Sequence, residues 1–213
     1  LEKEKIALVG YRINEIAPAA PHFYSVRASL RDEINKIVEH LATVGIKRIG
    51  IAYQNNAFGK EVFTATQAAM ARHKLEAVIA VTVESDASDA EAGAKKIAAT
   101  EPEAVLIGLA GKPTVSFIKA IRKARKGVQL YALSIMGTAA TIATLAEDAT
   151  GMTISQIVPL PSNMSRPVVR DFQTAWKAGN FGQEPSHLAF EGYINARVFV
   201  ETLRRAGRNP TRS

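Results

Sequence analysis

The residues best able to contact a small ligand occur in loops that directly follow short apolar runs. Aromatic, amide, hydroxyl and cationic side chains occur together in these loops: Tyr11, Arg12, Asn55, Asn56, Phe58, Lys112, Thr114, Ser134, Met136 and Thr138. Such a mixture suits a pocket for a small polar molecule that also has an apolar part. Loops are polar in most proteins, so it is the set, rather than any single residue, that favours ligand binding.

Sequence motifs for catalysis or for a cofactor are missing. The run Gly108–Pro113 contains a Gly-Lys pair, but its glycine spacing is wrong for a phosphate loop and Pro113 stands where that loop needs a hydroxyl residue. There is no dinucleotide fingerprint and no G-x-S-x-G turn, and the four histidines are not spaced as metal ligands. The absence of cysteine excludes thiol catalysis. We therefore predict no enzymatic activity, no metal and no cofactor. A doubly wound enzyme is the less favoured alternative.

The net charge of +7 raises the hypothesis of a nucleic-acid partner. The basic residues are dispersed, however, and groups such as Arg122–Lys126 fall at predicted helix ends, where cations suit the helix dipole. We therefore predict no nucleic-acid partner. No apolar run approaches the roughly 20 residues that a membrane-spanning helix needs.

The segment Lys47–Gly59 predicts how the ligand-contacting loops are positioned. Ile49–Tyr53 is short, apolar and rich enough in β-branched residues for a buried strand. Gln54–Ala57 then breaks the pattern, and helical spacing of apolar residues begins at Phe58. In an open parallel sheet, ligands bind outside the carboxyl ends of the strands, so the loop Gln54–Phe58 is a predicted contact region.

The rest of the chain repeats this alternation of strand and helix. Strands are predicted at residues 6–9, 49–53, 75–83, 104–109, 128–133 and 152–158. Helices are predicted from Ser29 to Val44, from Phe58, at residues 90–100 and 114–126, up to Glu147, and at 168–177 and 188–206. This alternation predicts an α/β fold with a doubly wound parallel sheet and helices on both faces.

Several stretches of the chain resemble the type I periplasmic solute-binding proteins of ABC transporters, in the branched-chain amino-acid (Leu/Ile/Val) class. These stretches occur in the family's order: Phe23–Ser29, Lys47–Tyr53 with Asn56–Gly59, Leu130–Ser134, Gly151–Met152 with Ile157–Pro159, and Glu191–Ala196. The resemblance implies two lobes that close on a ligand. It places a remnant of the first lobe at residues 1–28, the second lobe at 29–160 and closing helices at 161–213.

This register implies that the chain is a fragment that lacks most of the first lobe. Apolar surface that the first lobe covers in the family would then be exposed, which favours self-association. A homodimer is therefore a further expectation.

The resemblance also implies roles for particular residues. Phe58 matches an aromatic position that packs on the ligand, and Ser134 falls near a position where classical members place an acid against the ligand's amino group. The loop Gly10–Asn14 matches a ligand loop of the first lobe, where Tyr11 and Arg12 replace the usual small hydroxyl residues. Since a guanidinium can bind a carboxylate with two hydrogen bonds, an aromatic or aliphatic carboxylate is the expected ligand. The predicted site residues are Tyr11, Arg12, Asn55, Phe58, Ala110, Thr114, Ser134 and Met136.

The expected function is that of the solute-binding component of an ABC importer, with a small amino acid or a carboxylate as ligand. The protein would be exported to the periplasm, its signal peptide absent from this chain, and its closed form would be recognised by a membrane permease. The alternative is the ligand-sensing lobe of a receptor or regulator with the same fold.

Overall fold

The structure, a computed structural model, describes residue 3, residues 6–11 and residues 22–208. The described residues form two compact units. One is Leu30–Ser155, and the other comprises the described residues before Leu30 and after Ser155. The second lobe that the resemblance implies at 29–160 stays a prediction, and the compact unit Leu30–Ser155 lies within it.

The helices and strands alternate through most of the chain. In chain order they are β1 (Leu8–Val9), β2 (Phe23–Tyr24), α1 (Leu30–Thr43), β3 (Ile49–Gln54), α2 (Ala57–Arg72), β4 (Ala77–Val83), α3 (Ala90–Ala99), β5 (Ala104–Gly108), α4 (Lys112–Ala124), β6 (Gln129–Ala132), α5 (Ala139–Leu145), β7 (Met152–Ile154), α6 (Pro167–Gly179) and α7 (His187–Ala206). Short 3-10 turns occupy Ser134–Met136 and Ala146–Ala149.

The unit Leu30–Ser155 is built on a five-stranded parallel sheet with the strand order β4-β3-β5-β6-β7. The helices α1 and α2 contribute to the apolar cluster on one face, while α3, α4 and α5 contribute to the cluster on the other. The predicted α/β, doubly wound parallel-sheet fold is therefore confirmed.

Burial along the strands follows from their place in the sheet. All five residues of the central strand β5 are buried, because helices cover both faces there. The edge strand β4 alternates between more and less exposed residues, and only Val81 and Val83 are fully buried. The apolar stripe of α1, which includes Ile34, Val38 and Leu41, packs in the cluster of the first face.

Some element boundaries differ from the sequence prediction for local reasons. Helix α4 begins at Lys112, two residues before the predicted start, because Pro113 fits the first turn of a helix, where a backbone N–H is not needed. Strand β7 ends at Ile154 and not at Val158. The residue that follows, Ser155, directs its hydroxyl to a carboxylate of α1.

The second unit contains β1, β2, α6 and α7. The strands β1 and β2 pair in parallel, with Leu8 opposite Phe23. A small aromatic cluster joins the two helices, in which the rings of Phe172 and Phe190 stack with 4.7 Å between their centroids. Part of α7 carries exposed apolar side chains, among them Phe199 and Leu203. Of the helices in the described part of the chain, none combines the length and apolar character that a membrane span requires.

Candidate ligand-binding site

The strand order places a topological switch point between β3 and β5. From the carboxyl end of β3 the chain crosses to β4 on one side, and from the carboxyl end of β5 it crosses to β6 on the other side. The two connections therefore diverge at the carboxyl ends of β3 and β5, where open α/β sheets have the crevice that receives ligands. The loops that begin at Gln54 and after Gly108 meet at this point.

The side chain of Gln54 joins the loops around the switch point. Its Oε1 accepts a hydrogen bond of 3.1 Å from the backbone nitrogen of Ala110, and its Nε2 donates one of 3.0 Å to the hydroxyl of Ser85. Gln54 is 8% exposed. Gln54 lies in the contact region predicted from the sequence, but no role is predicted for it there. The feature of the sequence that could have indicated this role is a polar amide side chain directly after a buried apolar run.

The start of α2 packs closely on the end of β3. Asn56 caps this helix, its Oδ1 accepting a hydrogen bond of 2.9 Å from the backbone nitrogen of Gly59. A Cβ atom on Gly59 would lie 1.9 Å from the backbone oxygen of Gln54. The side chain of Asn55 points away from this cap and donates to Glu84 at 2.6 Å.

The aromatic ring of Phe58, predicted to pack on the ligand, lies in the apolar cluster of the first face and is 9% exposed. Its contact with a ligand stays a prediction.

The start of α4 is the most suitable place at the switch point for a negatively charged group. Gly111 precedes the helix with a φ of 67°, and no side chain of a described residue caps the helix there. Because Pro113 has no N–H, the backbone N–H groups of Lys112 and Thr114 lie at the positive end of the helix dipole without a side-chain cap from a described residue, and Lys112 adds a charge. Thr114, in the first turn, is 1% exposed, and its hydroxyl has no hydrogen-bond partner among the described residues.

A buried carboxylate from α1 lies at the end of β6. The Oε2 atom of Glu33 accepts a hydrogen bond of 2.8 Å from the backbone nitrogen of Ser134, and its Oε1 accepts one of 2.9 Å from the Ser134 hydroxyl. The Ser155 hydroxyl also donates to Oε2, at 2.5 Å. The amide and hydroxyl of Ser134 are thus directed at Glu33, and the contact of Ser134 with a ligand stays a prediction.

Glu33 is not among the site residues predicted from the sequence, because an acidic residue in the first turn of a helix also suits the helix dipole. The spacing of the buried stripe carried a signal. Leu30, Ile34 and Ile37 are buried on one face of α1, and Glu33 is buried with them. A carboxylate within a buried stripe needs hydrogen-bond donors.

The remaining predicted residues are distributed between the two units. Met136 is 3% exposed and lies in the apolar cluster of the second face, after β6. Tyr11 belongs to the other unit, where its ring meets that of Phe23 edge-on at 6.2 Å. Arg12 lies outside the described residues. The structure therefore brings six of the predicted residues to one edge of one sheet: Asn55, Phe58, Ala110, Thr114, Ser134 and Met136.

A surface groove of about 840 Å³ lies in the same unit but away from the carboxyl edge. It runs between α2 and the start of β4 and is lined by residues such as Phe63, Gln67 and Lys74. Because ligands of open α/β sheets bind at the carboxyl ends of the strands, the switch point remains the better candidate. In the described part of the chain, no three His, Cys, Asp or Glu residues are grouped as metal ligands.

Comparison with known proteins gives matches that extend over most of the chain. The family model described as periplasmic binding protein matches residues 1–213. The structure of an extracellular ligand-binding receptor from Verminephrobacter eiseniae is similar, with 31% identity and a TM-score of 0.81, over 90% of this chain and 55% of that one. A search of curated protein sequences gave no significant match.

Two further structures share the fold. A substrate-binding periplasmic protein from Ralstonia solanacearum is 28% identical with a TM-score of 0.80, over 91% of this chain and 56% of that one. A branched-chain amino acid ABC transporter protein from Thermus thermophilus, solved with bound valine, is 16% identical with a TM-score of 0.74, over 92% of this chain and 53% of that one. This chain thus spans about half the length of the structures that it matches.

Proposed function

This chain belongs to the periplasmic binding protein family, and we propose that it is part of the solute-binding component of an ABC importer. The similarity to a substrate-binding periplasmic protein and to an ABC transporter protein supports this role. The sequence resemblance to the type I family is confirmed by the family match. The ligand, the permease and the transport direction belong to the proposal.

The observation that carries the proposal is the uncapped start of α4 at the switch point of the sheet. The uncapped N–H groups of Lys112 and Thr114, the charge of Lys112 and the Thr114 hydroxyl, which has no partner among the described residues, together favour a negatively charged group of a ligand. A carboxylate is the simplest such group, and it agrees with the expectation from Arg12.

The position of Glu33 bears on whether the ligand also has an amino group. Ser134 is not itself an acid, but the carboxylate of Glu33 accepts hydrogen bonds from the backbone nitrogen and the hydroxyl of that residue. Its negative charge attracts a cationic group at this end of the site. The proposed ligand is therefore a small amino acid or an aromatic or aliphatic carboxylate. Only the amino acid has an amino group that the charge of Glu33 would attract.

In the intact protein, the proposed mechanism is closure of two lobes on the ligand, followed by recognition of the closed form by a membrane permease. The family points to the periplasm as the place of action. We also propose that this chain alone self-associates, because Val198, Phe199, Val200 and Leu203 expose apolar surface along α7. A sedimentation coefficient that does not change with protein concentration and fits a monomer would exclude self-association.

A second candidate function is ligand sensing by a receptor. The similar protein from Verminephrobacter eiseniae is described as an extracellular ligand-binding receptor, which favours this alternative. Both functions require the same ligand-binding site. They differ in the protein that recognises the ligand-bound form, which is a membrane permease in transport and a signalling protein in sensing. Copurification of the intact protein with a membrane permease supports the transport function, whereas a signalling partner would favour the receptor.

Native mass spectrometry before and after denaturation tests for a bound solute. A small molecule that leaves on denaturation supports the proposal, and its mass identifies the ligand class. Calorimetric titration with L-valine and with benzoate then separates an amino acid from an aromatic carboxylate. If the intact protein carries no solute and binds neither an amino acid nor a carboxylate from a broad panel, the proposed function is wrong.

A further inference from the structure

We propose that Glu33 is a positioning residue that holds the loop after β6 and the segment after β7 as one rigid piece. This inference rests on the proposed function, since the loop Ser134–Thr138 includes two of the predicted ligand contacts, Ser134 and Met136. Glu33, a residue of α1, would hold the loop Ser134–Thr138 in place.

The loop after β6 is fixed by a side chain and not by a strand. Strand β6 ends at Ala132, and the backbone nitrogen of Ser134 donates to the carboxylate of Glu33 at 2.8 Å. The hydroxyl of the same serine donates to the other carboxylate oxygen at 2.9 Å. Because the N–H and the hydroxyl of Ser134 each bind a different oxygen of the Glu33 carboxylate, both the position and the orientation of the loop start are defined.

The same carboxylate also holds the end of the unit. Ser155 is the last residue of the unit, and its hydroxyl donates to Glu33 at 2.5 Å, while its backbone nitrogen donates to the oxygen of Ala132 at 3.0 Å. Glu33 itself lies in the first turn of α1, whose first residue, Leu30, begins the unit. Both segments by which the chain enters and leaves this unit are therefore tied to Glu33.

The arrangement has a consequence for ligand binding. If the lobes of the intact protein move, the chain bends where it leaves the unit, before Leu30 and after Ser155. With Glu33 joining both ends of the unit to the Ser134 loop, such bending leaves the loop in place. The ligand contacts on this unit then remain preorganised in the open form.

Glu33→Met and Glu33→Gln test this role, because both keep the length of the side chain. Methionine cannot accept these hydrogen bonds, whereas the glutamine amide oxygen still accepts from the Ser134 nitrogen. Amide hydrogen exchange of the intact protein, followed by NMR without any ligand, resolves Ser134. We expect Glu33→Met to speed exchange at Ser134 by about tenfold or more, as expected for loss of one charge-assisted hydrogen bond, and Glu33→Gln to restore most of the protection.

Matched variants separate this local role from a general loss of stability. Ser155→Ala removes one hydroxyl, and we expect it to speed exchange after β7 without affecting the amides of β3. Glu39→Gln, on the exposed side of the same helix, removes only a surface ion pair with Lys36 and should change neither region. The proposal is wrong if Ser134 exchanges at the wild-type rate in Glu33→Met. It is also wrong if exchange at Ser134 speeds up by no more than exchange of the β3 amides, because that result indicates a general loss of stability. Since no ligand is used, that result is distinct from a failure to find a bound solute.

Discussion

The side chain of Gln54 accepts a hydrogen bond from the backbone nitrogen of Ala110, with 3.1 Å between Oε1 and N. The two residues are 56 positions apart in the sequence. Gln54 is the last residue of β3, and Ala110 follows the adjacent strand β5 at the switch point of the sheet. The amide group of Gln54 donates at the same time to Ser85, in the loop after β4. One buried side chain thus connects the ends of three neighbouring strands, and this sets the shape of the candidate site.

Replacement of Gln54 by leucine should destabilise the protein. Leucine has a similar volume but leaves the partly buried Ala110 nitrogen without its acceptor, which costs about 1–3 kcal/mol of unfolding free energy. Chemical denaturation measures this loss. Gln67→Leu, at an exposed position of α2, is the matched control and should have little effect. Equal stability of Gln54→Leu and the wild-type protein would show that the three loops do not depend on this side chain.

A methyl group at Gly59 should be far more harmful than its size suggests. The added Cβ would lie 1.9 Å from the oxygen of Gln54 and 2.5 Å from its nitrogen, so helix α2 would have to move away from β3. We expect Gly59→Ala to reduce the unfolding free energy by about 2 kcal/mol or more, whereas alanine at an unhindered helix position is stabilising.

The matched control is Gly93→Ala in α3, where the nearest atom would lie 3.6 Å from the new Cβ. Gly93→Ala should be neutral or stabilising by up to about 1 kcal/mol. Comparable losses for the two variants, measured by chemical denaturation, would contradict the close approach of α2 to β3.

Local patterns in the sequence were sufficient to predict the α/β fold, and they indicate the edge of the sheet at which the candidate site is proposed. The β-branched run Ile49–Tyr53, the polar break after it and the helical spacing from Phe58 are contiguous, so they could be read without knowing the fold. The carboxyl-edge placement of the loops followed from the predicted parallel sheet. The order of the strands was not predicted and is known from the structure.

The contacts that shape the site could not be predicted in the same way. Glu33 and Ser134 are 101 residues apart, and Gln54 and Ser85 are 31 apart. Hydrogen bonds between distant residues leave no local pattern, and an acid in a first turn has an adequate local explanation in the helix dipole. That the Thr114 hydroxyl is buried without a partner among the described residues is likewise evident only once the packing around α4 is known.

Breaking the ion pair between Arg27 and Glu191 should strongly destabilise the unit that contains it. The two side chains approach to 3.5 Å and are only 7% and 9% exposed. Arg27→Met keeps much of the apolar stem but removes the cation beside a buried carboxylate, which costs about 3 kcal/mol or more. Arg205→Met removes an exposed pair with Glu201 and should have no measurable effect on chemical denaturation. Similar effects of the two variants would argue against a buried pair.

His187 should make the protein less stable in mild acid. Burial lowers the pKa of His187 below its ordinary value of 6.5, and its place in the first turn of α7 acts in the same direction. The unfolded chain therefore binds the proton more readily than the folded protein. This contribution to stability is present above pH 6.5 and is lost as the pH falls from 6.5 through the lower folded pKa.

Thermal unfolding between pH 7.5 and pH 5 measures this contribution. In His187→Gln, the decline in melting temperature with falling pH should be shallower than in the wild-type protein. Parallel curves for the two proteins would show that His187 does not contribute.

Thr114→Val should separate stability from ligand binding at the start of α4. The Thr114 hydroxyl is buried without a partner among the described residues, so a methyl group of the same size should stabilise the unliganded protein by up to about 1 kcal/mol. If a ligand carboxylate uses this hydroxyl, the variant should also bind its solute about tenfold more weakly, since one hydrogen bond is lost.

Thr144→Val, at an exposed position of α5, is the control and should change neither quantity. Chemical denaturation and calorimetric titration with the solute identified by mass spectrometry give the two values. A variant that is more stable and binds with unchanged affinity would remove Thr114 from the site, whereas a destabilised variant would show that its hydroxyl already has a partner in the folded protein.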